Sequence, residues 1–128
     1  MSLRSPLARA IGHGSAKEGA SHWYAQRVSA VALLFLGLWF IFSLGTAGGA
    51  DYGTVAAWLG RPINSALAVL LVVTLAHHAL LGLQVVVEDY VGGRGARVAV
   101  LVGLRFALVL AAVVGVLAVL RVAIGGWT

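Results

Sequence analysis

Three long apolar stretches dominate the chain, at residues 28–47, 63–87 and 98–124. The first two contain no charged residue. At about 1.5 Å per helical residue, a run of some 20 residues covers roughly 30 Å, the thickness of a bilayer's hydrocarbon core. Short polar segments separate the three runs. Gly45, Gly48, Gly49, Asp51 and Gly53 close the first, and Arg61-Pro62 opens the second. A proline suits the first helical turn, where its missing N–H leaves no bond unmade. The second run ends at Glu88-Asp89-Tyr90, and Gly92, Gly93 and Gly95 make a short loop into the third. Ahead of the first run, His22, Trp23 and Tyr24 place amphipathic rings at the headgroup level. Ser15 and Glu18 have the spacing of a capping box, predicting a short helix just before the membrane. The first apolar run starts too late and extends too far for a secretory signal peptide. The pattern predicts an all-α membrane protein with three transmembrane helices. Residues 1–27 form a short amino-terminal interfacial segment, and residues 28–124 form the anchor.

Composition agrees with lipid as the solvent. Hydrophobic residues make up 61% of the chain and charged residues 10%, against about a quarter charged in a soluble domain. The formal charge of +5 is carried outside the apolar runs or near their ends, so it reads as topology and not as a nucleic-acid footprint. Arg4, Arg9, Lys17 and Arg27 precede the first span, and Arg94 and Arg97 occupy the second loop. The first loop has only Arg61, beside Asp51. The positive-inside rule then puts the amino terminus and the second loop in the cytoplasm, and the carboxyl terminus on the periplasmic side. Arg105 and Arg121 lie within the third run, and the fifteen residues between them cover only roughly 22 Å. At least one of them must snorkel or face a partner protein.

The absence of cysteine removes disulfides, thiolate zinc sites and cysteine-bound iron–sulfur clusters. No Gly-rich nucleotide fingerprint is present either. A redox role would therefore need a cofactor held by histidine or supplied by another chain. The second span is the one with such residues: His77, His78 and Gln84. At 100° per residue, His78, Gly82, Val85 and Asp89 share one stripe. His78 stands eleven residues, roughly 16 Å, from Asp89, near mid-membrane. Two readings of that imidazole stay open on the residues alone. It could be a neutral side chain satisfied by an interhelical hydrogen bond, or an axial ligand to haem enclosed by apolar helices. In the second case the other ligand must come from a partner, because His13 and His22 both precede the first span. Tyr90 and Asp89 read either as an interfacial tyrosine and an acid leaving the membrane, or as a phenol and a proton-handling group beside a quinone.

The pattern His78-x-x-x-Gly82 followed by Asp89-Tyr90 resembles the second helix of the small hydrophobic membrane anchor of succinate dehydrogenase (respiratory complex II). The stretch from Gly14 to Ala30, through His22-Trp-Tyr-Ala-Gln-Arg27-Val-Ser, resembles that family's approach to its first helix, especially in alphaproteobacterial members. The resemblance covers about 12–97. It implies that His78 is one axial ligand of haem b, with the other from the companion membrane anchor, the cytochrome b556-type chain of the same complex. The adjacent His77 is the alternative, and the spacing to Asp89-Tyr90 selects His78. It further implies that Tyr90 hydrogen-bonds ubiquinone, that Asp89 shapes that site, and that Arg27, with His22, stands near the haem propionates. The iron–sulfur protein and the flavoprotein of the complex would be the remaining partners, in the bacterial inner membrane. The Ser-x-x-His-Arg motif of the companion anchor is missing, since Gln26 precedes Arg27. A fumarate reductase anchor, or a structural anchor without haem, would share much of this pattern.

Overall fold

The computed structural model describes residues 16–49 and 51–125, and every regular element among them is helical. Helix α1 runs over Ala16–Gly45, α2 over Tyr52–Leu59, α3 over Pro62–Tyr90 and α4 over Arg94–Ala123. Three of them hold stretches long and apolar enough to cross a membrane: Gly19–Gly45, Pro62–Tyr90 and Arg94–Ala123. The protein is thus a multi-pass membrane protein, as the apolar runs predict. Helical hydrogen bonding continues past the apolar cores into polar residues, so α3 and α4 begin before, and α3 ends after, the stretches read from hydropathy. No separate short helix precedes the first span. The helix there is continuous from Ala16, while Ser15 and the rest of residues 1–15 lie outside the described residues.

Helix α3 is the middle member, with α1 and α4 packed against it. Pro62 stands in its first turn. At the other end a tight turn, with Gly93 at φ +83°, sends the chain back into α4. That positive φ is a backbone conformation glycine adopts without steric cost. The Arg97 guanidinium donates to the Val91 carbonyl at 3.3 Å from both Nε and Nη2, tying the turn to the start of α4. Midway along, α4 approaches α3 closely at Gly115, where an added Cβ would come 2.9 Å from Val72 Cγ1.

The short helix α2 was not foreseen from hydropathy, yet it organises the packed end of the bundle. Asp51 caps it, accepting from the Thr54 amide at 3.1 Å and the Thr54 hydroxyl at 2.7 Å. Those bonds, the hydroxyl's first, hold the Asp51 carboxyl below its ordinary range. Trp58 and Leu59 of α2 and Ala68 of α3 are buried together under Trp39, Phe40 and Leu44 of α1 and Val119 of α4. The Trp58 ring stacks on Trp39 with centroids 5.4 Å apart and meets Phe40 edge-on at 5.9 Å. Its indole N–H donates to Ser43 Oγ at 2.7 Å, and its carbonyl accepts from Asn64 Nδ2 at 2.9 Å. A tryptophan can sink into an apolar cluster only when its N–H finds such a partner. Elsewhere the helices expose their apolar side chains, and α4 has no buried residue at all. In lipid this carries little penalty, because hydrocarbon tails are as apolar as leucine.

Candidate functional site

The polar contacts that cross between spans gather where α1 meets α3, about half-way along α3. On α1, His22, Gln26 and Ser29 are spaced four and three residues apart and so fall on one stripe. On α3, His78 and Gly82 face that stripe. Ser29 is buried, and its Oγ lies 2.9 Å from His78 Nδ1. The same hydroxyl donates to the Gln26 carbonyl at 3.0 Å. A serine has one proton to give, so with that proton on the carbonyl, Nδ1–H of His78 is the donor in the second contact. The network thus assigns the Nδ1–H tautomer and leaves the lone pair on Nε2. Facing Nε2 is the Gln26 side-chain amide, at 3.4 Å, the long edge of hydrogen-bond range. Gly82 gives that amide its room, since an added Cβ would stand 3.4 Å from Gln26 Nε2. Two polar atoms in this region are buried with no hydrogen-bond partner among the described residues: Gln26 Oε1 and His22 Nε2.

His77 has a different environment. It is exposed and lines an open groove of about 480 Å3 between α1 and α3, with Tyr24, Val28, Val73 and Thr74. Of the two adjacent histidines, only His78 is drawn into the α1–α3 contact. Arg27 is not drawn in. It is exposed, with its guanidinium 4.3 Å from the centre of the Trp23 ring, on a face of α1 turned away from Gln26 and Ser29. His22 shares the stripe of Gln26 and Ser29 and is half-buried.

At the far end of α3, Asp89 and Tyr90 are both exposed, Tyr90 at 85%. They follow Glu88, whose Oε1 accepts from Gln84 Nε2 at 2.8 Å. Gln84 and Arg105 also share a small groove with Leu80 and Leu101 between α3 and α4. The stripe from His78 to Asp89 is therefore split: its first half packs on α1, and its second half emerges from the bundle. Tyr90 meets no described side chain that could complete a pocket around a ligand.

Sequence reasoning singled out His78 and Gly82 but passed over Ser29 and Gln26, the two α1 residues that contact the imidazole. The signal was present, because three polar residues at helical spacing in a span's first turns mark one face. It lacked the register of α1 against α3, which only the packed structure supplies.

The donor chemistry fits haem iron in one respect. A neutral imidazole with Nδ1–H held by a hydroxyl and Nε2 deprotonated is the form that a metal takes as an axial ligand. The orphaned Gln26 Oε1 shows an amide not yet satisfied by its surroundings, and it would turn aside from Nε2 for iron to bind. No group of three or more His, Asp or Glu side chains stands together among the described residues, so any iron site would need a ligand from elsewhere.

Comparison with known proteins gives the same frame. The family of succinate dehydrogenase/fumarate reductase transmembrane subunits matches residues 1–119. The succinate dehydrogenase hydrophobic membrane anchor subunit of Rickettsia bellii is 33% identical over 117 residues, 91% of this chain and 94% of that protein. The protein of the same name from Paracoccus denitrificans is 34% identical over 102 residues, 80% of this chain and 79% of its own. A succinate dehydrogenase membrane anchor subunit from Reclinomonas americana is 33% identical over 85 residues, 64% and 71% of the two chains. No solved structure matches. With the family matched over nearly all of its length and three apolar spans in place, the chain belongs to the succinate dehydrogenase/fumarate reductase transmembrane subunits.

Proposed function

We propose that this chain is the small hydrophobic anchor of a succinate:quinone oxidoreductase in a bacterial inner membrane, with its amino terminus in the cytoplasm. In this reading it shares haem b with the companion anchor and forms part of the ubiquinone site. The iron–sulfur protein and the flavoprotein of the complex would supply the electrons from succinate. The observation that carries the reading is the state of His78: a mid-span imidazole, fixed by a hydroxyl, with its Nε2 lone pair left for a ligand.

Haem b, when bound, supplies a one-electron redox centre between the two anchors. His78 would hold it through Nε2, and Ser29 fixes the ring from the other side. Tyr90, at the end of α3, is exposed and able to donate its phenolic O–H to a quinone carbonyl. Asp89 beside it accepts and passes protons at the membrane surface, which quinone reduction to quinol consumes. Both need walls supplied by other chains, in keeping with an anchor that works only in an assembly. Arg27 and His22, on α1, would reach propionates only after Arg27 leaves Trp23.

The experiment is an optical spectrum of the purified complex. His78→Ala should abolish the reduced-minus-oxidised b-type band, and His77→Ala should leave it in place. Loss with His77→Ala alone would move the ligand by one residue, and retention in both variants would leave a structural anchor without a haem role. The direction, succinate oxidation or fumarate reduction, would follow from the potential of the quinone that copurifies.

A further inference from the structure

We infer that Ser29 is a positioning residue for His78: its hydroxyl accepts from Nδ1–H, selects the tautomer, and so sets how strongly Nε2 donates to iron. The inference rests on the reading of His78 as an axial ligand, and it adds a residue of α1 to a site otherwise read from α3.

Ser29 is 6% exposed, so water does not compete for its hydroxyl. Its proton is held by the Gln26 carbonyl one turn earlier at 3.0 Å, leaving its oxygen as an acceptor. The contact to Nδ1 at 2.9 Å has the length of an ordinary N–H···O bond. The contact on the other ring nitrogen is half an ångström longer, at 3.4 Å, and comes from an amide whose Oε1 is already buried without a partner. The two sides of the ring are thus unequal. The Ser29 side anchors, and the Gln26 side yields. A hydrogen bond accepted from Nδ1–H gives the ring some imidazolate character and raises the basicity of Nε2. A more basic axial ligand favours ferric over ferrous iron, which lowers the potential. The opposite arrangement is also chemically complete: a turned Gln26 amide accepting from Nε2–H, with Ser29 donating to Nδ1. It would leave no lone pair for iron, and the test separates the two.

The intact complex is purified with Ser29→Ala and with Ser29→Thr, and its b-type band is titrated against electrode potential. Haem content is measured alongside. Ser29→Ala should shift the midpoint to more positive values, and Ser29→Thr, which keeps the hydroxyl, should return it to that of the parent. If Ser29→Ala retains haem at the parent's midpoint or a lower one, or if both variants shift alike, the inference is wrong. Where Ser29→Ala assembles without haem, Ser29→Thr decides: haem bound at the parent midpoint supports the role, and loss of haem there overturns it. Failure of the underlying ligation is read separately, as a b-type band that survives His78→Ala.

Discussion

The two ends of this bundle are built on opposite principles. At the end closed by α2, an aromatic cluster of Trp39, Phe40 and Trp58 excludes water and satisfies its polar atoms internally, through Ser43 and Asn64. At the end where α3 gives way to α4, Tyr90 and Asp89 project from the fold, and the nearest interhelical contacts leave polar atoms of Gln26 and His22 unsatisfied. The first end is finished within one chain. The second is finished only by something else. A protein that must hold its own shape, and also share a site with neighbours, can divide those tasks along the length of its helices.

The comparison can be broken most forcefully at Trp58. Trp58→Ala should cost about 3–5 kcal/mol, the usual range for removing a large aromatic from a packed cluster. Thermal melting of the detergent-purified complex would show it as a lower transition, with the shape of the b-type spectrum unchanged. An altered spectrum at full stability would mean that the ends are not separate. Next in size is Tyr90→Phe, which removes one exposed hydroxyl and should leave melting alone. Loss of a single hydrogen bond to quinone of about 1.4 kcal/mol corresponds to a roughly tenfold slower quinone reduction. The ratio of quinone-linked to dye-linked succinate oxidation would report it, and an unchanged ratio would remove Tyr90 from the quinone site. The smallest effect belongs to Asp51. Because its carboxyl is held below the usual range, its capping of α2 is fully present above the unfolded pKa and is lost as pH falls through the folded one. Asp51→Ala should flatten the acid side of the melting profile and change little at neutral pH.

Most of the frame was legible in the sequence. The three spans follow from uninterrupted apolar length, Pro62 marks a helix start, and His78 stands out as the mid-span imidazole with the spacing to Asp89 and Tyr90. Helix α2 was not legible. Its eight residues, Tyr52–Leu59, are too short for a periodicity to declare itself, and Asp51 reads as part of a glycine-rich loop until its bonds to Thr54 are seen. The role of Trp58 likewise depends on the arrival of Trp39 and Ser43 from another helix. Arg27 shows the converse. Its place in the motif is clear, but a neighbouring Trp23 ring captures the side chain in the lone chain. Contacts set by one helix could be read from spacing, whereas contacts between helices needed their relative rotation and register.

Helix α3 can finally be viewed as a beam. It is pinned near one end by Asn64 to the Trp58 carbonyl, and again at His78 to Ser29. The two pins are roughly 21 Å apart along the axis, and Tyr90 overhangs the second by roughly 18 Å. Two supports fix a direction that one would leave free to swing. The overhang is nearly as long as the supported length, so a displacement at either pin arrives at the Tyr90 hydroxyl at close to full size, with no further support to absorb it.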